Sequence, residues 1–150
     1  MDTQVQQQLL VAIKRIDTDL PLPAYATAGS VGFDLICRED REIQPRQIEL
    51  IPGNVIVRIP AGFFLMLTLR SSTPRRKGLL IPNGVGIIDQ DYCGEGDELQ
   101  VQVFNFSEET AFVRRGERIA QGLFLPVMRV SWREVEELGQ GRGGFGSTGL

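Results

Sequence analysis

The chain has 150 residues, 42% of them hydrophobic and 23% charged, and a net charge of −3. That length suits one domain able to bury roughly two-thirds of its unfolded surface without a disulfide or metal staple. The negative balance excludes a global attraction to nucleic acid or an anionic membrane, so a polyanionic ligand requires a local patch. There is no histidine, and the two cysteines, Cys37 and Cys93, lie far apart in sequence. Ser-His-Asp and Cys-His schemes in their usual form, and a zinc site joining these cysteines, are thereby removed. A general base would be a carboxylate, a lysine or a tyrosine, and a metal would be a hard cation bound through oxygen.

The first residues, MDTQVQQQLLVAIKRI, have too short an apolar core and no leading basic cluster for a signal peptide. No stretch approaches the roughly 18 apolar residues of a membrane span. With two free cysteines expected in a reducing compartment, the chain reads as cytoplasmic. Strands are predicted at 8–16, 31–36 and 46–52. Val55, Val57 and Ile59 alternate with Ile56 and Arg58. The run 63–69 is apolar on both faces and predicts a strand buried between layers. Leu99, Val101 and Val103 alternate with Gln100 and Gln102, one dry face and one wet, and a last strand is predicted at 118–129. Gly and Pro punctuate the gaps, notably Pro45, Pro52, Gly53, Pro60, Gly62, Pro82 and Gly84. Many short strands with such turns predict an all-β sandwich, jelly roll or barrel.

Two short helices are also predicted. Ser72 would cap one turn over 73–77, with Pro74 near its start. Ser131 would cap another over 132–138, with Glu134 completing a capping box. The expected organisation is a single domain, a β-domain over 1–138 followed by a tail over 139–150. That tail holds six Gly in twelve residues and cannot build a core of its own.

Four segments carry groups suited to chemistry. Segment 69–78, LRSSTPRRKG, places two hydroxyls, Ser71 and Ser72, and a helix start beside Arg70. It reads either as a phosphate site or as a capped turn with a solvated basic face. Segment 83–95, NGVGIIDQDYCGE, ends an apolar run on Asp89, a carboxylate that could orient and deprotonate water. It adds Tyr92, whose flat ring could pack on a sugar or base, and glycines that let backbone groups approach a ligand. A plain β-hairpin is the equal alternative. Segment 114–122, RRGERIAQG, offers the amide of Gln121, though by itself it reads best as a surface turn entering a strand. Segment 141–149, GRGGFGSTG, is a flexible donor-rich strip with Arg142 and Phe145, more suited to a lid than to an idle tail.

In this order and spacing, these segments together with AGSVGFDL at 28–35 resemble the five motifs of the trimeric dUTPases, from about residue 20 to the C-terminus. The second motif is Arg70-Ser71-Ser72 and the fourth is Gly116-Glu117-Arg118-Ile119-Ala120-Gln121. Two departures stand out. Cys93 occupies the place where relatives often carry a basic residue, and the stretch Gly94-Glu95-Gly96-Asp97-Glu98 is slightly longer than usual. The resemblance implies a jelly-roll-like fold in a homotrimer with shared active sites. It also implies hydrolysis of dUTP to dUMP and pyrophosphate, which keeps uracil out of DNA and supplies dUMP for thymidylate synthesis.

By the same resemblance, Asn83, Gly84, Gly86, Ile87, Ile88, Asp89 and Tyr92 would form the uracil and deoxyribose pocket in one subunit. Arg70, Ser71, Ser72 and Gln121 of a second subunit would bind phosphates. The tail of the third would close over the nucleotide, with Phe145 on the uracil and Arg142, Ser147 and Thr148 on the phosphates. Asp89 would activate the attacking water. Mg²⁺ would ride on the phosphates with no direct protein ligand, and Asp34 would bridge to a metal-bound water or to a neighbouring Arg. Neither nucleic acid nor membrane is implied as a partner. A dCTP deaminase shares the fold, but the strip around Phe145 and the segment from Asp89 to Tyr92 favour a dUTPase. A dUTPase-like regulator without turnover is a further reading. A nucleic-acid-binding β-domain is disfavoured by charge and by the lack of interleaved aromatic and basic residues.

Overall fold

The structure, a computed structural model, describes residues 9–143. Among them the alternating segments become short strands: β1 (Ala12–Arg15), β2 (Ala24–Tyr25), β3 (Phe33–Ile36), β4 (Arg41–Ile43), β5 (Ile48–Pro52), β6 (Val55–Arg58), β7 (Phe63–Leu69), β8 (Leu79–Leu80), β9 (Gly86–Ile88), β10 (Gln100–Asn105), β11 (Ala111–Val113) and β12 (Arg118–Pro126). One helical turn, α1 (Thr73–Lys77), follows β7. The strands pair antiparallel in four small sheets, ordered β1-β6, β5-β10-β8, β11-β4 and β2-β3-β12-β7-β9. This is the all-β class expected from the turn spacing, and the jelly-roll-like form of it that the resemblance implies.

The five-stranded sheet positions the site. Its inner face carries Phe33, Leu35, Leu65, Leu67, Leu69, Gly122 and Phe124, whose register places them side by side. They close on Ile43, Ile51, Leu79, Val101, Val103 and Val113 from the other sheets, all but shut off from solvent. The outer face carries Asp34, Gln121 and Thr68 in one row, then Leu123, Met66 and Ile87 in the next, then Leu125 and Phe64. The strand over 63–69 is therefore dry on one face within the chain. Phe64 and Met66 on the other face are half-buried and Ile87 is exposed, which corrects the expectation of burial between two layers. Ile56 departs in the opposite sense. It belongs to the polar phase of β6 yet is buried.

Strand boundaries are tighter than the sequence periods. β12 stops at Pro126 because its partner β7 begins at Phe63, and a single further bond, Val127 N–H to the Gly62 carbonyl at 2.9 Å, ends the ladder. The helix expected over 132–138 is not formed. Trp132 and Leu138 are 93% and 97% exposed, so nothing among the described residues receives an apolar face. Two turns of helix without tertiary packing are too short to recover the cost of nucleation.

Gly122 marks the closest approach in the sheet. A Cβ there would lie 2.5 Å from Cζ of Phe33, a ring held between Tyr25 and Phe124 at centroid distances of 6.1 and 5.9 Å. Gly122→Ala is expected to destabilise the fold by about 1–3 kcal/mol, read as a lower urea midpoint. An unchanged midpoint would show that the Phe33 ring is free to move aside.

Candidate active site

β12 is paired on both edges, and Gln121 is opposite Asp34 of β3 on one side and Thr68 of β7 on the other. The three half-buried polar side chains thus share one row on the outer face. The chain leaves β7 at Leu69 and turns at Arg70, whose N–H donates to the Ile119 carbonyl at 3.3 Å. The turn brings Arg70 Nε to 3.2 Å from Asp34 Oδ1, while Arg118 Nη1 lies 3.4 Å from Asp34 Oδ2. The Arg118 approach depends on the register shift between Arg118 and Ala120 where β12 meets β3. One carboxylate, 15% exposed, is therefore flanked by two guanidinium groups.

α1 follows at once, with Pro74 near its start and Gly78 ending it at φ 67°. That left-handed cap lets the Gly78 N–H reach the Pro74 carbonyl at 2.9 Å, and a Cβ there would press to 2.7 Å on Ser107. Arg75, Arg76 and Lys77 lie in the last turn, where the helix carbonyls favour cations. Lys77 Nζ is 2.7 Å from Glu117 Oε1 and donates to the Phe112 carbonyl at 2.7 Å. Arg70, Ser72, Thr73, Arg76, Lys77, Gly116, Glu117 and Arg118 line a cleft of about 450 Å³. Ser72 occupies the N-cap position, but its hydroxyl makes no capping bond. The helix is where the sequence puts it; the cap is not, because Ser72 has helical φ and ψ of −85° and −15°.

Segment 83–95 lies at the other side of β7. Asn83 and Gly84 form an exposed turn in which the Gly84 N–H donates to the Ile81 carbonyl at 3.1 Å. Gly86, Ile87 and Ile88 make the edge strand β9, paired with β7 and not with a strand that follows it, so the segment is no simple hairpin. Asp89 comes directly after β9 and is exposed, where the sequence suggested a half-buried carboxylate. Gln90 Nε2 donates to the Phe63 carbonyl at 2.9 Å, and the Tyr92 N–H reaches back to the Asp89 carbonyl at 3.3 Å. The Tyr92 ring packs on the core, and its hydroxyl donates to the Glu98 carbonyl at 3.1 Å. Burial, with Asp97 and Glu98 nearby, pushes its phenol above the usual value, so it stays a neutral donor. Arg142 is exposed; Phe145, Ser147 and Thr148 lie outside the described residues.

The two clusters leave β7 at opposite ends. Arg70 follows Leu69, whereas Ile88 is opposite Leu65 and Asp89 continues toward Phe64. At about 3.3 Å per residue, Asp89 and Arg70 are separated by roughly 20 Å along the strand. Asp34, Arg70 and Gln121 thus come together, with Ser72 lining the same cleft as Arg70, while Asp89 and Tyr92 of the same chain do not join them. Sequence reasoning does not single out Arg76, Lys77 or Arg118. The basic run at 75–77 is a visible signal for the first two, but the approach of Arg118 to Asp34 comes from strand pairing alone.

The dUTPase family model matches residues 18–149. The chain belongs to the dUTPase family. It is 44% identical to a deoxyuridine 5'-triphosphate nucleotidohydrolase of Dictyoglomus turgidum, over 93% of this chain and 98% of that one. A protein of the same name from Lactococcus lactis is 37% identical over 93% and 95%. Among solved structures, the dUTPase from Streptococcus mutans superposes with a TM-score of 0.73 at 35% identity, over 80% of this chain and 98% of that chain. The Staphylococcus bacteriophage 80alpha dUTPase, at 24% identity, shares the fold with a TM-score of 0.84, over 95% of this chain and 100% of that one.

Because the Ser72 hydroxyl makes no cap bond, Ser72→Ala should change unfolding stability by less than about 0.5 kcal/mol, against about 1 kcal/mol for a working cap. Chemical denaturation of the two proteins distinguishes these values. A loss near the larger figure would show that the hydroxyl has a structural partner.

Proposed function

We propose that this protein hydrolyses dUTP to dUMP and pyrophosphate in a homotrimer with three shared sites. The reading rests on family membership together with one observation, the cationic cleft around Asp34, Arg70 and Arg118. Guanidinium, ammonium and hydroxyl donors converge there on a space suited to phosphate oxygens. In this reading Arg70, Ser71, Ser72 and Gln121 hold the phosphate chain. Arg142, Ser147 and Thr148 of another subunit's tail complete the cage, with Phe145 stacked on the uracil. Asp34 orients Arg70 and Arg118, the second of the two roles implied for it.

The roughly 20 Å between Asp89 and Arg70 argues for the trimer. Both cannot serve the α-phosphate of one nucleotide within one chain, so a site using both takes them from different subunits. The half-buried apolar rows of Phe64, Met66, Leu123 and Leu125 on the outer face, with Ile87 exposed among them, supply surface for such contacts.

The cleft fits Mg²⁺ as a companion of the substrate better than as a resident ion. Among the described residues no three acidic or thiol side chains form a cation cage. Asp34 and Glu117 are already matched to Arg70, Arg118 and Lys77. Bound to the triphosphate, Mg²⁺ would offset part of its charge, with Asp34 in reach only through water. The chain's own groups account for the rest. The Asp89 carboxylate takes a proton from water, whose oxygen bonds to the α-phosphorus as the bond to the departing pyrophosphate breaks. Donors around Gln121, Ser71 and Ser72 hold the phosphoryl oxygens as charge shifts.

Selectivity follows from the edge of segment 83–88. Backbone N–H and C=O groups of the turn at Asn83 and Gly84 and of Gly86, Ile87 and Ile88 read the uracil edge. Cytosine leaves such groups unpaired at about 1–3 kcal/mol each. The Tyr92 ring against the sugar excludes a 2′-hydroxyl. With both cysteines free, the protein fits the reducing cytoplasm, where it would remove dUTP and supply dUMP.

Pyrophosphate release with Mg²⁺ from dUTP, dTTP, dCTP and UTP in parallel tests the activity. Release from dUTP alone is expected, and none from dUTP by folded protein would overturn it, with ammonia release from dCTP as the next assay. Asp89→Asn should retain nucleotide binding while turnover falls by about 10²-fold or more; near-native turnover would remove Asp89 from its role. Deleting residues 141–150 should leave a folded protein whose hydrolysis is severely reduced, and full activity would deny the tail any part in the site.

A further inference from the structure

Between Tyr92 and β10 the chain runs through seven residues without strand pairing. Such a loop would leave the Tyr92 ring loosely held unless something fixed its far end. Glu98 does so from both main chain and side chain. Its carbonyl accepts the Tyr92 hydroxyl at 3.1 Å. Its carboxylate, on a residue only 9% exposed, takes a two-pronged bond from Arg38: Nε to Oε1 at 2.8 Å and Nη2 to Oε2 at 3.1 Å. Oε1 also accepts the Asn54 N–H at 2.9 Å. Burying one carboxylate is unfavourable without such donors, so the three bonds hold Glu98 in one place.

The anchor is itself anchored. Arg38 N–H donates to the Pro52 carbonyl at 2.9 Å, and the preceding Cys37 exchanges backbone bonds with Glu117 and Gly116 at 2.9 and 2.8 Å. Leu99, next to Glu98, donates to the Val55 carbonyl at 2.8 Å and accepts from Gly53 N–H at 2.7 Å. The Gly94 turn is closed on the other side by its N–H to Asp97 Oδ2 at 2.7 Å. Three separate segments therefore converge on the backbone that carries the phenol's acceptor.

We infer that Arg38 and Glu98 are a positioning pair for the sugar-facing ring of Tyr92, and that this pair sets discrimination between deoxyribose and ribose nucleotides. The inference rests on the proposed dUTP hydrolysis and on the place of Tyr92 beside the sugar. Exclusion of one hydroxyl needs a wall that does not yield, because a displacement of about 1 Å makes room for the extra oxygen. A ring packed along its body and tethered at its hydroxyl meets that demand. The tether here is a carbonyl whose position depends on a part-buried ion pair with a distant part of the chain.

The experiment measures kcat and KM for dUTP and UTP in the intact protein and in Tyr92→Phe, Glu98→Gln, Arg38→Met and Arg38→Lys. Tyr92→Phe removes only the tethering hydroxyl, so it reports even where the Arg38 and Glu98 variants fail to fold. The ratio of kcat/KM for dUTP over UTP should fall by about tenfold in Tyr92→Phe and in each folded variant that breaks the fork, mainly through a lower KM for UTP; in the Arg38 and Glu98 variants kcat for dUTP should stay within about threefold of the intact protein. Arg38→Lys, which keeps the charge and loses the fork, should recover part of the ratio. Combining Tyr92→Phe with Arg38→Lys should add little to Tyr92→Phe alone, since both act on one ring. A ratio within about twofold of the intact protein in Tyr92→Phe would overturn the inference and leave the pair a stabiliser of the loop. Absence of dUTP turnover by the intact protein would overturn the proposed function, and this inference with it.

Discussion

The pairing of β12 with β3 along one edge and β7 along the other is the constraint on which the cleft depends. It places Gln121 between Asp34 and Thr68, and it sets Gly122 beneath the Phe33 ring. Because side chains alternate across a strand, the same register sends polar groups outward and apolar groups into the core. A slip of one residue would exchange the two sets and dismantle the cleft and the core together. The glycine is part of the same condition, since a side chain there would hold the neighbouring strand away.

Charge in the cleft is local and partly neutralised. The chain carries a net charge of −3, yet Arg70, Arg76, Lys77 and Arg118 line this one space. Asp34 and Glu117 offset part of that charge and orient the cations they touch. Arginines fixed by a carboxylate lose less freedom when a phosphate arrives, and the surplus positive charge remains for the ligand. A protein of negative net charge can thus hold a polyanion without attracting nucleic acid over its whole surface.

The outer face of the same sheet explains why a single chain is an incomplete description of the proposed enzyme. Its apolar rows, the distance between Asp89 and Arg70, and the exposed side chains of Met128, Trp132 and Leu138 all point outward from one protomer. The capping box after β12 does not start a helix here for the same reason. A short segment takes its structure from the surface it meets, and the described residues offer it none.

The strand at β10 was legible because alternation over several residues has one simple reading, a sheet with one face on the core; β7 was legible only as an apolar run, which hid that its outer face is half-buried. The turn at α1 was legible from Pro74 near its start, although the Ser72 cap read with it is not made. The motif residues Arg70 and Ser72 in the cleft, and Gln121 beside Asp34, were legible by resemblance, because the order of motifs along a chain survives folding. Sequence alone thus determined the all-β class, the family and the residue types available for phosphate binding. The tertiary structure decided the rest: that Asp34 stands between Arg70 and Arg118, that Ser72 caps nothing, that Asp89 leaves the far end of β7, and that Arg38 reaches Glu98 across 60 residues of chain. Local pattern reports which face a side chain takes; it carries no information on which distant strand will lie beside it, because that choice is made by packing the whole core at once.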